Sequence, residues 1–344
     1  MKLYLARRVR RRLAAIIGVG ILATSISACG GSSNADAVSE DGTVDLSKVT
    51  LTVGDQKGGS QALLGAAGEL DKVEYEIEWK PFTSGPPLLD ALGGGSVDVG
   101  SVGNTPPLFA IDEGKDLRVV SAARTSARGD AIVLPKDSTI SSIKQLEGKK
   151  VAVAKGSSAN YHLLAQLAKA GLDFDDIEPV YLQPTEGLAA FKGGHVDAWA
   201  IWDPFTAQAQ KDNGAKILVD GEGVVNGLGF QVASDEALDD KATKAAIKDY
   251  LSRITRAQLW TNKNSGVWAK TWADDTGLSP AVTAEAVKRR KYTPIPIDDD
   301  LVASEQTMWD AFRSAKQLRS NNSLEPHFID DFNTTVLNAT KGAS

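Results

Sequence analysis

Six short segments of this chain, each at the junction between an expected strand and an expected helix, carry side chains that donate hydrogen bonds, and four of the six also contain glycine. The unpaired N–H groups of a helix's first turn and the helix dipole both favour a bound anion, and glycine lets the backbone approach it closely. The six segments are 56–60, 83–87, 103–106, 155–158, 184–186 and 202–204. Together they predict a site for a tetrahedral oxyanion group.

Ordinary N-capping is the alternative for each junction, because Ser, Thr, Asn and Asp begin helices without any ligand. Six junctions that converge from two lobes favour a ligand site over capping alone. Lys57 and Lys155, each beside a glycine at the end of a strand, could both be solvated surface lysines. Their repeated position predicts that at least one of them lines the cleft.

The segment 197–204 supplies two further candidates at the end of a strand. Trp199 is expected in the core, whereas Trp202 could form an apolar wall for an organic group. Asp203 could cap the following helix, receive an amine or bridge the lobes. Arg124 and Arg128 follow another strand and could bind an oxyanion, although a solvated loop pair is the simpler interpretation.

The start of the chain has the features of a secretory signal. Met1–Arg12 carries six basic residues and no acid, Leu13–Ile26 is uncharged, and small residues lead into Cys29, the only cysteine. This order predicts cleavage before Cys29 and acylation of its thiol, which makes the protein a lipoprotein on the outer face of the cytoplasmic membrane. A transmembrane anchor is the alternative, but the apolar run is shorter than the roughly 18–20 residues a span needs.

Composition narrows the class of partner. The chain has 344 residues and a net charge of −6, which would become −12 without the six basic residues of the leader. An acidic surface of this kind excludes nucleic acid as an expected partner. With Cys29 acylated, no thiol remains for a disulfide, a metal or catalysis.

A pattern repeats after about a hundred residues. Lys155 lies 98 positions after Lys57, each in a strand that runs into a Lys-Gly turn. The Gly-Gly-x-Val-Asp motifs place Asp98 and Asp197 99 positions apart, and each is followed by a proline-containing helix start. Strand and helix signals alternate between these marks, which predicts two α/β lobes with mainly parallel sheets and a cleft between them.

The expected domain organisation follows from these signals. From Asp235 onward, amphipathic patterns predict a helical segment that packs back on the first lobe. The expected parts are a signal peptide over 1–28, a flexible tether over 29–47, a first lobe over 48–125 plus 229–320, a second lobe over 126–228, and a loosely docked C-terminal tail over 321–344.

An enzyme is the second class considered. His162, His195 and His327 form no set with metal-ligand spacing, and neither a Gly-x-Ser-x-Gly elbow nor a convincing Ser/His/Asp grouping is found. The sequence therefore predicts a binding protein, with no catalytic residues, no metal and no cofactor.

These motifs together resemble the SsuA-like aliphatic sulfonate-binding proteins of ABC importers, which are close to taurine- and nitrate-binding proteins. The likeness covers about 50–230 and, more loosely, the helices to about 318; the stretch 197–204 is its most specific part. It implies a type II periplasmic-binding fold that closes around an alkanesulfonate. The implied partners are an ABC permease with a cytoplasmic ATPase, and the chain is expected to be a monomer.

The resemblance implies a set of ligand-lining residues, to which the junctions add Lys57, Gly156, Thr185 and Asp203. The set implied by the resemblance is Gln56, Ser84, Gly85, Asn104, Thr105, Lys155, Ser157, Ser158 and Trp202. Taurine, nitrate or another small organic solute stays open as the ligand of the same fold. An amine-bearing ligand would favour Asp203 or Glu186, and a plain alkanesulfonate would favour Trp202.

Overall fold

Strands and helices alternate through the first two thirds of the chain, as the sequence predicts. The computed structural model describes residues 34–342, which lie in one compact unit. The strands are β1 (Thr50–Gln56), β2 (Glu76–Phe82), β3 (Val99–Gly103), β4 (Leu117–Arg124), β5 (Ala131–Leu134), β6 (Lys150–Val153), β7 (Glu178–Tyr181), β8 (Ala198–Ile201), β9 (Lys216–Asp220), β10 (Leu228–Ser234) and β11 (Thr293–Ile295). The helices are α1 (Ser60–Ala66), α2 (Gly85–Gly93), α3 (Thr105–Asp112), α4 (Ser158–Ala170), α5 (Pro184–Lys192), α6 (Phe205–Asn213), α7 (Asp235–Asp239), α8 (Lys241–Lys263), α9 (Ser265–Thr276), α10 (Pro280–Lys288), α11 (Asp299–Ser314) and α12 (Asn333–Gly342).

The strands form two sheets of similar design. A six-stranded sheet has the order β11-β4-β10-β3-β1-β2, and a five-stranded sheet has the order β7-β6-β8-β5-β9. In the first, β1 pairs in parallel with β2 and β3; in the second, β6 pairs in parallel with β7 and β8. In the first sheet β10 pairs antiparallel with β3, and in the second sheet β5 pairs antiparallel with β8. Most strands of each sheet therefore run in one direction, and the predicted bilobed α/β class is confirmed.

The two aspartates of the repeated motif make the same interaction in both sheets. The Asp98 carboxylate accepts a hydrogen bond from the backbone N–H of Thr52 (2.7 Å), and the Asp197 carboxylate accepts one from Lys150 N–H (2.8 Å). The backbone N–H of each aspartate donates back to the carbonyl of the same partner. Each motif thus joins the start of one strand to its parallel neighbour, and its role is structural.

The chain passes between the sheets twice, at 125–130 and again at 221–227. The two passages run together, because the Thr125 N–H donates to the Gly227 carbonyl (2.8 Å) and the Gly221 N–H donates to the Asp130 carbonyl (2.9 Å). Gly227 has a φ of +70°, and a Cβ on it would lie 2.4 Å from the Thr125 carbonyl oxygen. We call this pair of segments the hinge.

A buried polar network connects the hinge to α11 and to the start of α3. The Asn226 side-chain amide donates to Glu305 Oε1 of α11 (2.7 Å) and to Ser304 Oγ (2.9 Å). Its oxygen accepts from the Asn104 amide at the start of α3 (2.7 Å). Glu305 is fully buried, and this burial raises the pKa of its carboxyl to about 8 despite the hydrogen bond from Asn226.

The C-terminal tail differs from the loose docking expected over 321–344. Leu324, Phe328, Phe332 and Val336 are buried, and α12 packs along α8. The ring of Phe328 meets Phe230 of the first sheet edge to face, with 5.8 Å between centroids. Four apolar side chains at wide spacing, too sparse to suggest a core segment in the sequence, are sufficient to attach this segment.

The expected flexible tether over 29–47 also differs from the structure in its described part. Ala37 is buried, and the buried Asn34 amide donates to Thr243 Oγ1 of α8 (2.7 Å). Val38 and Val44 form an isolated antiparallel bridge. One buried amide and a small turn therefore fix residues 34–47 to the first lobe, although the composition is polar.

The hinge glycine gives a first prediction. We expect Gly227→Ala to lower the free energy of unfolding by about 2–4 kcal/mol, since a methyl group there collides with a carbonyl as well as requiring a left-handed backbone. Gly223→Ala is the matched control: its φ is +72°, but nothing lies within 4 Å of the position that a Cβ would take. It should cost only about 1 kcal/mol in urea denaturation, and equal losses for the two variants would contradict the collision.

Glu305 gives a prediction about pH. Its pKa is about 8 in the folded protein against an ordinary 4.5, so in the unfolded chain it ionises first. Its contribution to stability is complete below pH 4.5 and is lost as pH rises through about 8. Glu305→Gln removes this titration, so the advantage of the wild type over the variant in unfolding free energy should shrink across that window.

The control for this pH series is Glu325→Gln, which changes an exposed glutamate. Urea denaturation at several pH values should give a constant difference between wild type and this control. If the wild type and Glu305→Gln lost stability in parallel as pH rises, Glu305 would not be protonated in the native hinge.

Candidate ligand-binding cleft

A cavity of about 580 Å³ lies between the two sheets, where the parallel strands end and their helices begin. In open α/β sheets this edge is where ligands bind. Residues from the N-terminal ends of six helices line it. They are Ser60 of α1, Gly85 of α2, Asn104 before α3, Ser158 of α4, Thr185 of α5 and Phe205 of α6.

Nine of the thirteen residues predicted to bind the ligand line this cavity. They are Gln56, Lys57, Gly85, Asn104, Ser157, Ser158, Thr185, Trp202 and Asp203. Of the two lysines, Lys57 lines the cavity and is exposed, whereas Lys155 is exposed and lies outside the lining.

Four predicted residues lie outside the lining, and three of them have a structural task. The buried Ser84 hydroxyl donates to Gln183 Oε1 across the two lobes (2.8 Å). The buried Thr105 hydroxyl donates to Asn104 Oδ1 (2.9 Å). Gly156 has a φ of +71°, and a Cβ on it would lie 3.2 Å from the Phe109 ring. The fourth, Lys155, makes no carboxylate ion pair among residues 34–342.

Several hydroxyl and amide groups that do line the cavity are already hydrogen-bonded to the protein. Ser157 accepts from Asn160 N–H as the N-cap of α4 and donates to the Ala154 carbonyl (2.6 Å). Ser158 Oγ donates to Asp130 Oδ1 (2.7 Å), and the Gln56 amide donates to the Ser101 carbonyl (3.1 Å). Ser157 therefore both caps α4 and lines the cavity.

Arg290 brings a guanidinium to the cavity that sequence reasoning missed. It follows α10, is half-buried, and donates through one Nη to the Asp203 carbonyl (3.2 Å). Its Cζ lies 5.1 Å from the centre of the Trp272 ring, a cation–π distance. No carboxylate lies within ion-pair distance of it among the residues that the structure describes. Its charge is thus available to a bound anion.

Two carboxyl groups accompany Arg290 in the cavity lining. Burial raises the pKa of Asp130 to about 6 against the hydrogen bond from Ser158. Burial likewise raises the pKa of Asp203 to about 6, although the positive charges of Arg289 and Arg290 oppose the shift. The cavity is therefore less negative at mildly acidic pH than its residue types suggest.

Asp203 combines two of the roles considered for it. Its Oδ1 accepts from the Ala207 N–H of α6 (3.0 Å) and lies 3.5 Å from Arg289 Nη1. Arg289 also donates to Gln210 of α6, and Lys211 pairs with Glu285 of α10 (3.2 Å). Asp203 therefore caps a helix of the second lobe and connects it to α10, which belongs to the helical segment.

The tryptophans of the strand-end segment lie as expected. Trp199 is fully buried in the core of the second sheet, and Trp202 is half-buried and lines the cavity. The arginines Arg124 and Arg128 lie outside the cavity lining: Arg124 is exposed, and Arg128 pairs with Glu222 (2.6 Å).

The helical segment contributes further lining residues that the sequence did not identify as site residues: Gln258 of α8, Trp268, Trp272 and Thr276 of α9, and Leu278 and Tyr292. The spacing of these residues along the chain is typical of the buried face of amphipathic helices. The only local signal is the basic run Arg289-Arg290-Lys291 at the end of α10, next to a strand-forming segment.

No group of three His, Cys, Asp or Glu side chains within residues 34–342 is placed to hold a metal ion. His162 is buried on α4, where its Nε2 lies 3.2 Å from the Gln166 amide, and burial lowers its pKa to about 4. It lies outside the cavity lining.

The chain matches the model of the NMT1-like family over residues 43–270. It is 34% identical to an aliphatic sulfonates-binding protein of Escherichia coli K12 over 290 residues, covering 83% of this chain and 88% of the relative. Among solved structures, it resembles the alkanesulfonate-binding protein SsuA of Xanthomonas axonopodis pv. citri, bound to MOPS, with a TM-score of 0.76 and 33% identity over 81% of this chain and 98% of the other.

The periplasmic aliphatic sulphonate-binding protein SsuA of Escherichia coli is similar at a TM-score of 0.72 and 33% identity, over 81% of this chain and 91% of the other. These relatives are binding proteins and not enzymes. The chain therefore belongs to the NMT1-like family and to the SsuA-like aliphatic sulfonate-binding proteins.

Proposed function

We propose that this protein is the extracytoplasmic substrate-binding component of an ABC importer and that it captures aliphatic sulfonates. The observation that carries the proposal is Arg290, an unpaired guanidinium in a cleft surrounded by the N-terminal ends of helices. A sulfonate stays anionic at physiological pH and has no proton to donate. A site built from hydrogen-bond donors and positively charged side chains suits that chemistry.

The ligand contacts are proposed from the cavity lining. Arg290 and the backbone N–H groups of Gly85, Ser158 and Thr185, in the first turns of α2, α4 and α5, would hold the sulfonate oxygens, with the Gln56 and Lys57 side chains nearby. Trp202 would provide an apolar wall. Ser84, Thr105 and Gly156 would act indirectly, because their contacts shape the loops.

The acidic side chains considered for an amine-bearing ligand are partly engaged by the protein. Asp203 is engaged by Ala207 and Arg289, and Glu186 accepts from the Gln183 N–H (3.1 Å) as the capping partner of α5. Glu186 lies outside the cavity lining, whereas Asp203 lines it and its Oδ2 makes no hydrogen bond among the described residues, so an ammonium group would still find one acceptor there. Taurine and nitrate are therefore comparison ligands in the test below.

Uptake would follow from closure of the lobes. The hydrogen bond from Ser84 to Gln183 and the Asp203–Arg289 pair both cross the cleft, outside the hinge. In the proposed cycle, the hinge bends, the ligand becomes enclosed, and the closed monomer docks on a permease with a cytoplasmic ATPase.

The proposed location is the outer face of the cytoplasmic membrane, with the chain attached through lipid on Cys29. Cys29 and the leader lie outside the described residues. No helix within residues 34–342 is both long enough and apolar enough to cross a bilayer. In this proposal, the leader is removed and the acylated cysteine is the attachment to the membrane.

Titration calorimetry of the chain from Gly30 onward tests the ligand. Ethanesulfonate and longer alkanesulfonates should bind more tightly than sulfate, nitrate or taurine. Arg290→Gln should weaken alkanesulfonate binding by about tenfold or more, because it removes a charged donor. The control Arg124→Gln makes the same change on an exposed arginine outside the cavity and should alter binding by less than about twofold.

Two results would contradict this assignment. If no sulfonate released heat with folded, ligand-free protein, the ligand class would be wrong. If Arg290→Gln bound alkanesulfonates as tightly as the wild type while remaining folded by circular dichroism, the anion would not be held by Arg290.

Fatty-acid labelling in a bacterial host tests the anchor. The full-length protein should incorporate labelled palmitate and begin at Cys29 after processing, and Cys29→Ser should lose the label and accumulate the uncleaved precursor. Ser32→Ala, a nearby substitution that leaves the cysteine intact, should behave as the wild type. A mature wild-type protein that retains residues 1–28 without fatty acid would favour the transmembrane-anchor alternative.

A further inference from the structure

Asp130 places an acidic side chain in a cavity that is otherwise suited to an anion. It ends the first passage of the hinge and lines the cavity, where it is half-buried. Its Oδ1 accepts a hydrogen bond from the Ser158 hydroxyl (2.7 Å). Its Oδ2 makes no hydrogen bond within residues 34–342 and is not sealed from solvent. When ionised, this side chain therefore presents a free acceptor and a negative charge to the occupant of the cleft.

An ionised Asp130 opposes a bound sulfonate. Ser158, whose hydroxyl holds Asp130 Oδ1, is also one of the residues whose backbone N–H is proposed to hold the sulfonate oxygens. A sphere with the cavity's volume of about 580 Å³ is about 10 Å across, and charges this close inside a protein are only weakly screened by salt. A sulfonate has no proton to donate to the free oxygen. The repulsion therefore persists unless the carboxyl group is itself protonated.

The charges around Asp130 already favour its protonated form. Asp203, after β8, repels an ionised Asp130, whereas Arg290, after α10, attracts it. Burial outweighs that attraction and raises the pKa of Asp130 to about 6. A bound anion adds a further negative charge to the same cavity and so increases the affinity of Asp130 for a proton. The other charged groups on the surrounding elements are Asp55 and Lys57 of the lining, the Arg128–Glu222 pair of the hinge, and Arg289, which pairs with Asp203.

We propose that Asp130 makes sulfonate capture proton-coupled: one proton from solvent is bound at the Asp130 carboxyl group with each alkanesulfonate and returns to solvent when the ligand is released. The inference rests on the proposed sulfonate function. A proton on Oδ2 gives Asp130 an O–H that donates to a sulfonate oxygen, while Oδ1 still accepts from Ser158. Asp130 is then a donor of the binding site at acidic pH and a repelling carboxylate at alkaline pH.

The pH dependence of binding tests the coupling. Since the bound anion increases the proton affinity of Asp130, ligand affinity is greatest where Asp130 is already protonated and falls as pH rises through about 6. The chain from Gly30 onward, which contains the whole compact unit, should bind ethanesulfonate at least about tenfold more weakly at about pH 7.5 than at about pH 5. Titration calorimetry measures both affinities, and equal affinities would overturn the inference.

Proton uptake can be measured on the wild type without any variant. Calorimetric titrations at about pH 7, in buffers with different ionisation enthalpies, should show uptake of more than about half a proton per bound ethanesulfonate. Binding without proton uptake would contradict the coupling, whatever the affinity.

A variant that imitates the protonated carboxyl group assigns the proton to Asp130. The Asp130→Asn amide can accept from Ser158 and donate to a sulfonate oxygen without carrying a charge. At about pH 7.5 it should bind ethanesulfonate within about threefold of the wild-type affinity at about pH 5, and it should take up no proton. The control Asp137→Asn changes an exposed aspartate outside the cavity lining and should keep the wild-type pH dependence. The same pH dependence in Asp130→Asn would contradict the assignment.

Asp203 is the other carboxyl group whose charge acts on Asp130. Asp203→Asn should keep the proton uptake but move the midpoint of the pH dependence to lower pH, because it removes a charge that opposes ionisation of Asp130. Loss of the uptake in Asp203→Asn, together with its retention in Asp130→Asn, would place the proton on Asp203 and overturn the inference.

Failure of the coupling and failure of the sulfonate function give different results. If ethanesulfonate and longer alkanesulfonates do not bind at any pH, the sulfonate function itself fails. If they bind with an affinity independent of pH and without proton uptake, the function stands and the coupling fails. Thermal unfolding identifies a variant that does not fold, in which case the proton count of the wild type decides the result.

Discussion

The position of the cleft depends on the register of the parallel strands in the two sheets. Asp98 fixes the start of β1 against β3, and Asp197 fixes the start of β6 against β8, through the same pair of backbone contacts. Parallel strands in fixed register end at one edge, so the helices that follow begin side by side. Two such edges facing each other bring the ends of six helices to one cavity.

Much of the polar chemistry in these loops is used to hold the loops themselves. Ser157 caps α4, Ser84 bonds Gln183 across the lobes, and Asn104 bonds the hinge through Asn226. These side chains are therefore engaged by the protein itself, and the proposed ligand contacts fall chiefly to backbone N–H groups and to Arg290. Donors held in place before binding reduce the ordering cost of association. In the proposed function, the small polar residues would therefore contribute mainly by preorganising the loops.

The sequence predicted the fold better than it predicted which residues line the cavity. The repeat revealed Asp98 and Asp197, but capping and ligand binding use the same residue types, so Ser84 and Thr105 could not be separated from Ser158 and Thr185 without coordinates. The ligand roles of all these residues remain predictions.

Arg290, which follows α10, and Trp268 and Trp272 of α9 were missed as cavity-lining residues for a different reason. The amphipathic pattern of these helices accounts for burial equally well, and only the return of the helices to the cleft brings these residues to the cavity. The tail was misread because Phe328, Phe332 and Val336 are widely spaced in a polar segment. A non-local packing partner does not appear in local sequence periodicity.

The cleft holds a guanidinium whose charge is partly offset by nearby carboxyl groups. Arg289 is paired with Asp203, whereas Arg290 has no carboxylate within ion-pair distance among the described residues, and Asp130 lies close enough for its pKa to depend on Arg290. A fully unopposed positive site would bind an anion tightly, but it would also resist release. Nearby carboxyl groups whose pKa is about 6 moderate the field of Arg290 at neutral pH. In the proposed function the ligand must be passed on, and these carboxyl groups would favour its release.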